Sequence, residues 1–215
     1  MKKFGLPATL AAVTWLLAGP AHAMWIDDYS VSASLVNLST SPVDELGPII
    51  NVGDFNRQLV VNGIGSTGSS VAIDGGAGTA TFSASSVGTM AGRIVYTPTA
   101  GTIDLSAPGT TLDLIFAGSL NGAFYDASLT VSDGSLTDSK VISNSASPAA
   151  PGPVSFLVSG FGIDLDAISE ISLDVLAATG QQVYFDAPAD APVPATLPLV
   201  MSGLGMLAWL RKRRC

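Results

Sequence analysis

The stretch Leu129-Thr130-Val131-Ser132-Asp133-Gly134-Ser135-Leu136-Thr137 decides the fold class. Leu129 and Val131 alternate with small polar residues, which is the period of a strand with one face in the core and one in solvent. Asp133-Gly134 is a dipeptide typical of tight β-hairpin turns. The stretch therefore predicts two antiparallel strands joined by a short turn.

The same period-two alternation recurs along the chain between residues 24 and 190. It predicts further strands at residues 31–35, 112–116, 154–158, 171–175 and 183–185, with additional candidates at 59–61, 71–73, 79–82 and 93–97. No stretch sustains a helical period, and 163–173 has room for one helical turn at most. Many short strands with Gly and Pro turns predict an all-β fold, an antiparallel β-sandwich of jelly-roll type.

Residues 143–153 are rich in Ser, Ala and Pro, a composition that also occurs in domain linkers. Too few residues follow before Asp186 to build a second core without disulfides or metal. We therefore predict a long surface loop here, with the last strands returning to the same sandwich. The predicted organisation is an N-terminal leader at 1–23, one domain at 24–190 and a tail at 191–215.

The N-terminus has the pattern of a secretory signal peptide. Two lysines precede an apolar run at 6–18, and the small residues Ala21 and Ala23 form an A-x-A cleavage site. We expect Sec-dependent export and signal-peptidase cleavage after Ala23, which would leave Met24 as the first residue.

The C-terminus combines a proline motif, an apolar segment at 196–210 and a basic cluster. The motif consists of Ala191, Pro192, Val193, Pro194 and Ala195, and the cluster of Arg211, Lys212, Arg213 and Arg214. The basic residues should stop transfer and stay cytoplasmic, leaving the main domain across the membrane. The sixteen uncharged residues from Ala195 to Leu210 would span about 24 Å as a helix, against a hydrocarbon core of about 30 Å. This short transmembrane helix suits temporary anchoring.

These residues resemble the VPLPA variant of the PEP-CTERM sorting domain, with Ala191 and Val193 where the family pattern has Val and Leu. The resemblance covers about the last twenty-four residues. It implies an exosortase substrate of a Gram-negative bacterium. The precursor would be anchored in the inner membrane with a cytoplasmic C-terminus, then cut near the proline motif. The product would reach the cell surface or the exopolysaccharide and biofilm matrix.

Removing both termini leaves a strongly acidic domain. Six of the nine basic residues lie in the terminal segments, so Arg57, Arg93 and Lys140 remain against seventeen acidic residues, a net charge of −14. The single His22 and the single Cys215 also lie outside the domain. These absences exclude histidine-dependent catalytic triads, His or Cys zinc sites and internal disulfides. Three cations are too few for a nucleic-acid surface.

We expect a non-enzymatic structural or interaction module without a required cofactor. The alternative is a carbohydrate- or calcium-binding adhesion module, and the third reading is a carboxylate-dependent glycosidase. Asp164, Asp166 and Asp186 are the calcium candidates because calcium prefers oxygen ligands, although solvated loop acids would have the same pattern. Tyr125 is the candidate sugar contact, as a ring exposed after a loop, with a packed tyrosine as the other interpretation.

Two structural features would separate these functions. A flat row of exposed aromatic rings on one sheet face would favour glycan binding. A cleft holding two carboxyl groups about 5–10 Å apart would favour glycoside hydrolysis. Residues 37–39, Asn-Leu-Ser, also match an N-glycosylation acceptor.

Overall fold

The computed structural model describes residues 23–25, 27–120, 125–144 and 149–187. Within these ranges the fold is all-β, and helical structure is confined to two 3₁₀ turns at Val158–Gly160 and Leu165–Ala167. The strands are β1 Ala23–Trp25, β2 Ala33–Val36, β3 Glu45–Leu46, β4 Ile50–Val52, β5 Phe55–Ile64, β6 Ser70–Asp74, β7 Thr79–Ser83, β8 Thr89–Pro98, β9 Thr111–Leu120, β10 Tyr125–Ser132, β11 Thr137–Ser143, β12 Gly152–Leu157, β13 Glu170–Ala177 and β14 Gln182–Asp186.

The strands form two seven-stranded sheets. The first sheet has the order β1-β9-β14-β7-β6-β2, and β12 also pairs with β9. The second has the order β11-β10-β13-β8-β5-β3, and β4 also pairs with β5. All described pairings are antiparallel except that of β1 with β9. The predicted antiparallel β-sandwich is therefore confirmed.

Alternate residues of each strand enter the core between the sheets. In the first sheet, the ring of Phe185 lies 6.0 Å from that of Phe82 and 5.6 Å from that of Phe116. All three side chains are fully buried. The sheets approach closely at Gly92 of β8, where an added Cβ would come within 2.8 Å of the Phe82 ring. A side chain at position 92 would collide with this ring, which explains why the residue is glycine.

The strands predicted from alternation all occur, and the Asp133-Gly134 turn joins β10 to β11 as expected. The predicted loop at 143–153 is partly wrong, because β11 extends to Ser143 and β12 begins at Gly152. Pairing with β9 explains the difference, since it supplies hydrogen bonds to a segment whose composition alone suggests a loop. After this segment, β13 joins the second sheet and β14 joins the first.

Several predicted segments lie outside the described residues. These are the leader at 1–22, including Ala21, and the tail at 191–215 with its proline motif, apolar segment and basic cluster. Among the residues that the structure does describe, no helix has the length and apolar character needed to cross a bilayer.

Candidate functional site

A groove on the outer face of the second sheet is the most complete candidate site. It encloses about 280 Å³. The outward positions of β8, β10 and β13 line it, because residues whose neighbours point into the core must face solvent. We call this groove the sheet groove. The residues that line it include Asp44, Val60, Ala91, Arg93, Asp126, Ser128, Asp174 and Leu176.

The strand register places the charged groups of the sheet groove next to each other. Asp174 lies opposite Arg93 on one side and Ser128 on the other. The Arg93 guanidinium forms an ion pair with Asp174, and the Ser172 hydroxyl donates to the same carboxylate at 2.8 Å. Asp174 is therefore held in position by two partners.

A second carboxylate faces the sheet groove from β10. Asp126 lies opposite Leu176, and is thus diagonal to Asp174 on the neighbouring strand. Diagonal neighbours of this kind have Cβ atoms roughly 7 Å apart. The carboxyl separation that a two-carboxylate glycosidase needs is of the same order.

The two carboxylates differ in their surroundings. Asp174 contacts a guanidinium and a hydroxyl, and Asp126 is exposed. Apolar Val60, Ala91 and Leu176 line the same groove. The sheet groove therefore combines charged, hydroxyl and apolar groups.

The expected exposure of Tyr125 is wrong. Tyr125 is only 5% exposed, and its hydroxyl accepts a hydrogen bond from Ser143 at 3.0 Å. The reason is that β10 begins at Tyr125, so the inward alternation of this strand includes it. Among the side chains that the structure describes, no aromatic ring is exposed. The described residues therefore form no row of sugar-stacking rings.

The calcium candidates lie on separate elements. Asp166 lies in the 3₁₀ turn Leu165–Ala167, and Asp164 caps the start of this turn by accepting a hydrogen bond from the Asp166 amide at 3.1 Å. Asp186 lies in β14, opposite Thr79 of β7. Over the described ranges, no three or more His, Cys, Asp or Glu side chains come together as a metal site. Calcium binding stays a prediction.

Two other aspartates hold loops together. Asp133 accepts hydrogen bonds from the amides of Ser135 and Leu136, both at 2.7 Å, and from that of Asp164 at 3.0 Å. These donors, with the Ser135 hydroxyl, lower the pKa of Asp133 well below its usual value. Asp138 accepts from the Gly162 amide at 2.9 Å, which likewise lowers its pKa. These carboxylates stabilise the connection between β10, β11 and the 3₁₀ region.

Arg57 and Asp27 form a buried ion pair that sequence reasoning missed. The two side chains are 2.5 Å apart and are 0% and 2% exposed, respectively. Tyr96 donates its hydroxyl proton to Asp27 at 3.2 Å, and burial raises the pKa of Tyr96 well above its ordinary value. The sequence contains one signal of this burial, because Arg57 occupies an inward position of β5 between Phe55 and Leu59.

The glycosylation pattern at 37–39 is not accessible in the folded domain. Asn37 is fully buried, and its side-chain amide donates to the carbonyls of Ser66 at 2.9 Å and Ser39 at 2.6 Å. Asn37 thus connects loops of the sandwich.

Three comparisons with known proteins found no match to this chain. No family model matches the chain, and neither the curated proteins nor the solved structures yielded a match. The resemblance of the tail to a sorting domain therefore rests on its residues alone.

Proposed function

We propose that the chain is an exported, non-enzymatic protein of a bacterial surface or extracellular matrix, released from the inner membrane by an exosortase-like peptidase. The observation that carries this proposal is the order of the tail, in which a proline motif, an apolar segment and four basic residues follow the domain. The signal-peptide pattern at 1–23 supports export independently.

The layout of the domain is compatible with removal of the tail. The last described strand ends at Asp186, and Ala187 still donates its amide proton to the Gly78 carbonyl. A cut near Pro194 would therefore detach no strand that the structure describes. The released product would keep the sandwich and its excess of acidic residues, which favours solubility outside the cell.

The order of eight consecutive strands supports the jelly-roll class within the β-sandwich. Strands β7 to β14 divide into the sets β12-β9-β14-β7 and β11-β10-β13-β8. Two interleaved four-stranded sets of this kind arise when two Greek keys wrap into a double sheet. Lectin domains are among the proteins built this way, which by analogy favours a binding role over catalysis.

Carbohydrate binding in the sheet groove is the second candidate function. The ion pair of Arg93 and Asp174 beside an apolar floor favours it, because sugars present both hydroxyl groups and apolar faces. The absence of exposed rings among the described side chains implies recognition through hydrogen bonds rather than stacking. Exopolysaccharide is the partner that we propose.

The intact mass of the exported protein tests sorting. We expect loss of everything beyond the proline motif, and retention of the tail when Pro192 and Pro194 are both replaced by Ala. Pro153→Ala is the control, because this proline lies in the exposed part of β12. An exported wild-type protein that still contains Trp209 and Arg211 would contradict the proposal.

A pull-down with purified exopolysaccharide tests the sheet groove. The double variant R93Q/D174N removes one charge of each sign, so the net charge of the protein stays the same. It also removes the ion pair that we propose contacts the sugar, so binding should fall at least tenfold. The matched control is D138N/K140Q, which removes the other partly exposed ion pair of the same sheet. Wild-type protein that does not bind, or equal binding by both double variants, would reject this candidate function.

A further inference from the structure

The sheet groove continues into a second cavity on the same sheet. This neighbouring cavity encloses about 360 Å³ and shares Asp126 and Leu176 with the sheet groove. Its other lining residues include Ile64, Thr89 and Ala178. We call the two cavities together the extended groove. Ligand pockets usually measure about 300–1,000 Å³, so the sheet groove alone, at about 280 Å³, is small for a ligand. The extended groove instead fits a ligand longer than a single sugar.

A row of outward-facing side chains crosses four strands along the extended groove. Ala91 of β8 lies opposite Asn62 of β5 on one side and Leu176 of β13 on the other. Leu176 lies in turn opposite Asp126 of β10. Asn62 donates its side-chain amide to Asp44 at 3.0 Å, at the start of β3. From Asn62 to Asp126 the row covers three strand spacings, roughly 14 Å. Asp44 and Asp126 therefore lie at opposite ends of the row.

The charge of the extended groove is concentrated at these two ends. Among its lining residues that the structure describes, three carboxylates stand against one guanidinium. That guanidinium, from Arg93, forms its ion pair with Asp174 on the neighbouring row. The excess of two negative charges therefore corresponds to Asp44 and Asp126. Apolar side chains, with Leu176 46% exposed, fill the middle of the row between them.

This distribution of charge favours a cationic ligand over an anionic one. A uronate polymer would place like charges against Asp44 and Asp126, in a domain whose net charge is already −14, and such juxtaposition weakens binding. A protonated amine would instead form charge-assisted hydrogen bonds with the same carboxylates. The Ser128 hydroxyl and the apolar middle of the row match the remaining groups of a sugar ring. A lysine-rich peptide would supply the amines without the hydroxyl groups.

Building on the carbohydrate-binding function proposed above for the sheet groove, we propose that the extended groove binds a linear polysaccharide that carries primary amines. The polysaccharide lies across the strands. Its amines are held by Asp44 and Asp126, and its ring faces contact Ala91 and Leu176. Partly N-deacetylated hexosamine polymers have this chemistry.

Titration calorimetry of the purified protein with oligomers of equal length tests this ligand class. The probes are a β-1,4-linked glucosamine oligomer, its fully N-acetylated form, a galacturonate oligomer and an oligolysine. Measurement at about pH 5.5 keeps carboxylates ionised and sugar amines protonated. We expect the wild-type protein to bind the glucosamine oligomer at least tenfold more tightly than each of the other three probes.

Two double variants separate the end carboxylates from the general acidity of the domain. D44N/D126N removes both ends of the row and should lower the affinity for the glucosamine oligomer at least tenfold. D104N/D166N is the matched control, because it changes the net charge equally at two exposed aspartates outside the groove lining. The control should bind as the wild type does, because salt screens charges that do not contact the ligand.

Equal losses in the two double variants would overturn the proposal, because they would indicate attraction between an acidic protein and any cation. Equal or tighter binding of the N-acetylated or galacturonate oligomer would also overturn it, and equal binding of oligolysine would assign the groove to basic peptides. Failure of the carbohydrate-binding function itself is distinguishable, because then neither a sugar oligomer nor exopolysaccharide binds. Where the amine assignment alone is wrong, another sugar binds and R93Q/D174N weakens that binding.

Discussion

Replacing Asp27 with Ala should be among the most damaging single changes in this protein. The substitution leaves the Arg57 guanidinium, which is 0% exposed, without its counter-ion. Breaking one partner of a buried ion pair typically costs about 3–5 kcal/mol, because the remaining charge stays desolvated. The Tyr29 amide and Tyr96 hydroxyl also lose the carboxylate that accepts their hydrogen bonds. We therefore expect a loss of about 3–5 kcal/mol in the free energy of unfolding.

This loss corresponds to a large shift in melting temperature. For a domain of this size, each kcal/mol changes Tm by about 2–4 °C, so the expected decrease is about 6–20 °C. The loss is also a substantial part of the roughly 5–15 kcal/mol that stabilises a typical domain. Chemical denaturation of the purified protein, followed by intrinsic fluorescence, measures the free energy directly. Differential scanning calorimetry gives Tm.

A double-mutant cycle separates the ion pair from the packing around it. Arg57→Met removes the buried charge and keeps much of the side-chain volume, so the double variant D27A/R57M should be less destabilised than D27A alone. This expectation follows because apolar replacement of both partners is often neutral. Asp28→Ala is the control and should change the free energy by no more than about 0.5 kcal/mol.

Two outcomes would refute this reasoning. The first is a D27A variant that differs from D28A by less than about 0.5 kcal/mol. The second is additivity of D27A and R57M, since contacting residues should show a coupling energy of at least 0.5 kcal/mol, the low end of the usual range of about 0.5–3. Either result would mean that the two charges do not depend on each other in the folded protein.

Two further predictions concern a loop and the core. Folding lowers the pKa of Asp133, so its stabilising effect should be full above the unfolded pKa near 3.8 and disappear as pH falls through the lower folded value. Asp133→Asn should therefore reduce the free energy of unfolding at pH 7 and flatten the acid unfolding curve below pH 4. An unchanged acid unfolding curve would contradict this prediction. Gly92→Ala should destabilise the sandwich by about 1–3 kcal/mol through contact with Phe82, whereas Gly160→Ala, with no atom within 4 Å of the added Cβ, should have little effect in the same melting experiment.

Much of the sandwich is readable from the sequence because side-chain alternation is a local property. Residues 171–175 predict a strand by themselves, and β13 contains them. The short edge strands β3 and β4 have no such pattern, and they form because β5 offers an unpaired edge. The start of β12 at Gly152, inside the predicted loop, similarly depends on pairing with β9, which is more than thirty residues earlier in the chain.

The candidate site was harder to predict from the sequence than the strands were. Tyr125 looked like a loop residue because the start of β10 depends on its pairing with β13. The charged residues of the sheet groove are unremarkable one by one, and Arg93 and Asp174 meet only through the pairing of β8 with β13. Such neighbours cannot be inferred from spacing when eighty-one positions separate them.

The sequence alone determined the all-β class, the inventory of charges and the absence of histidine and cysteine from the domain, because these depend on composition and on local period. The tertiary structure decided which strands pair, and therefore which residues share the sheet groove. It also decided that Asp27 and Arg57 meet in the interior, thirty positions apart. The physical reason is that burial and strand pairing are non-local, so the partner of a buried charge is chosen by topology.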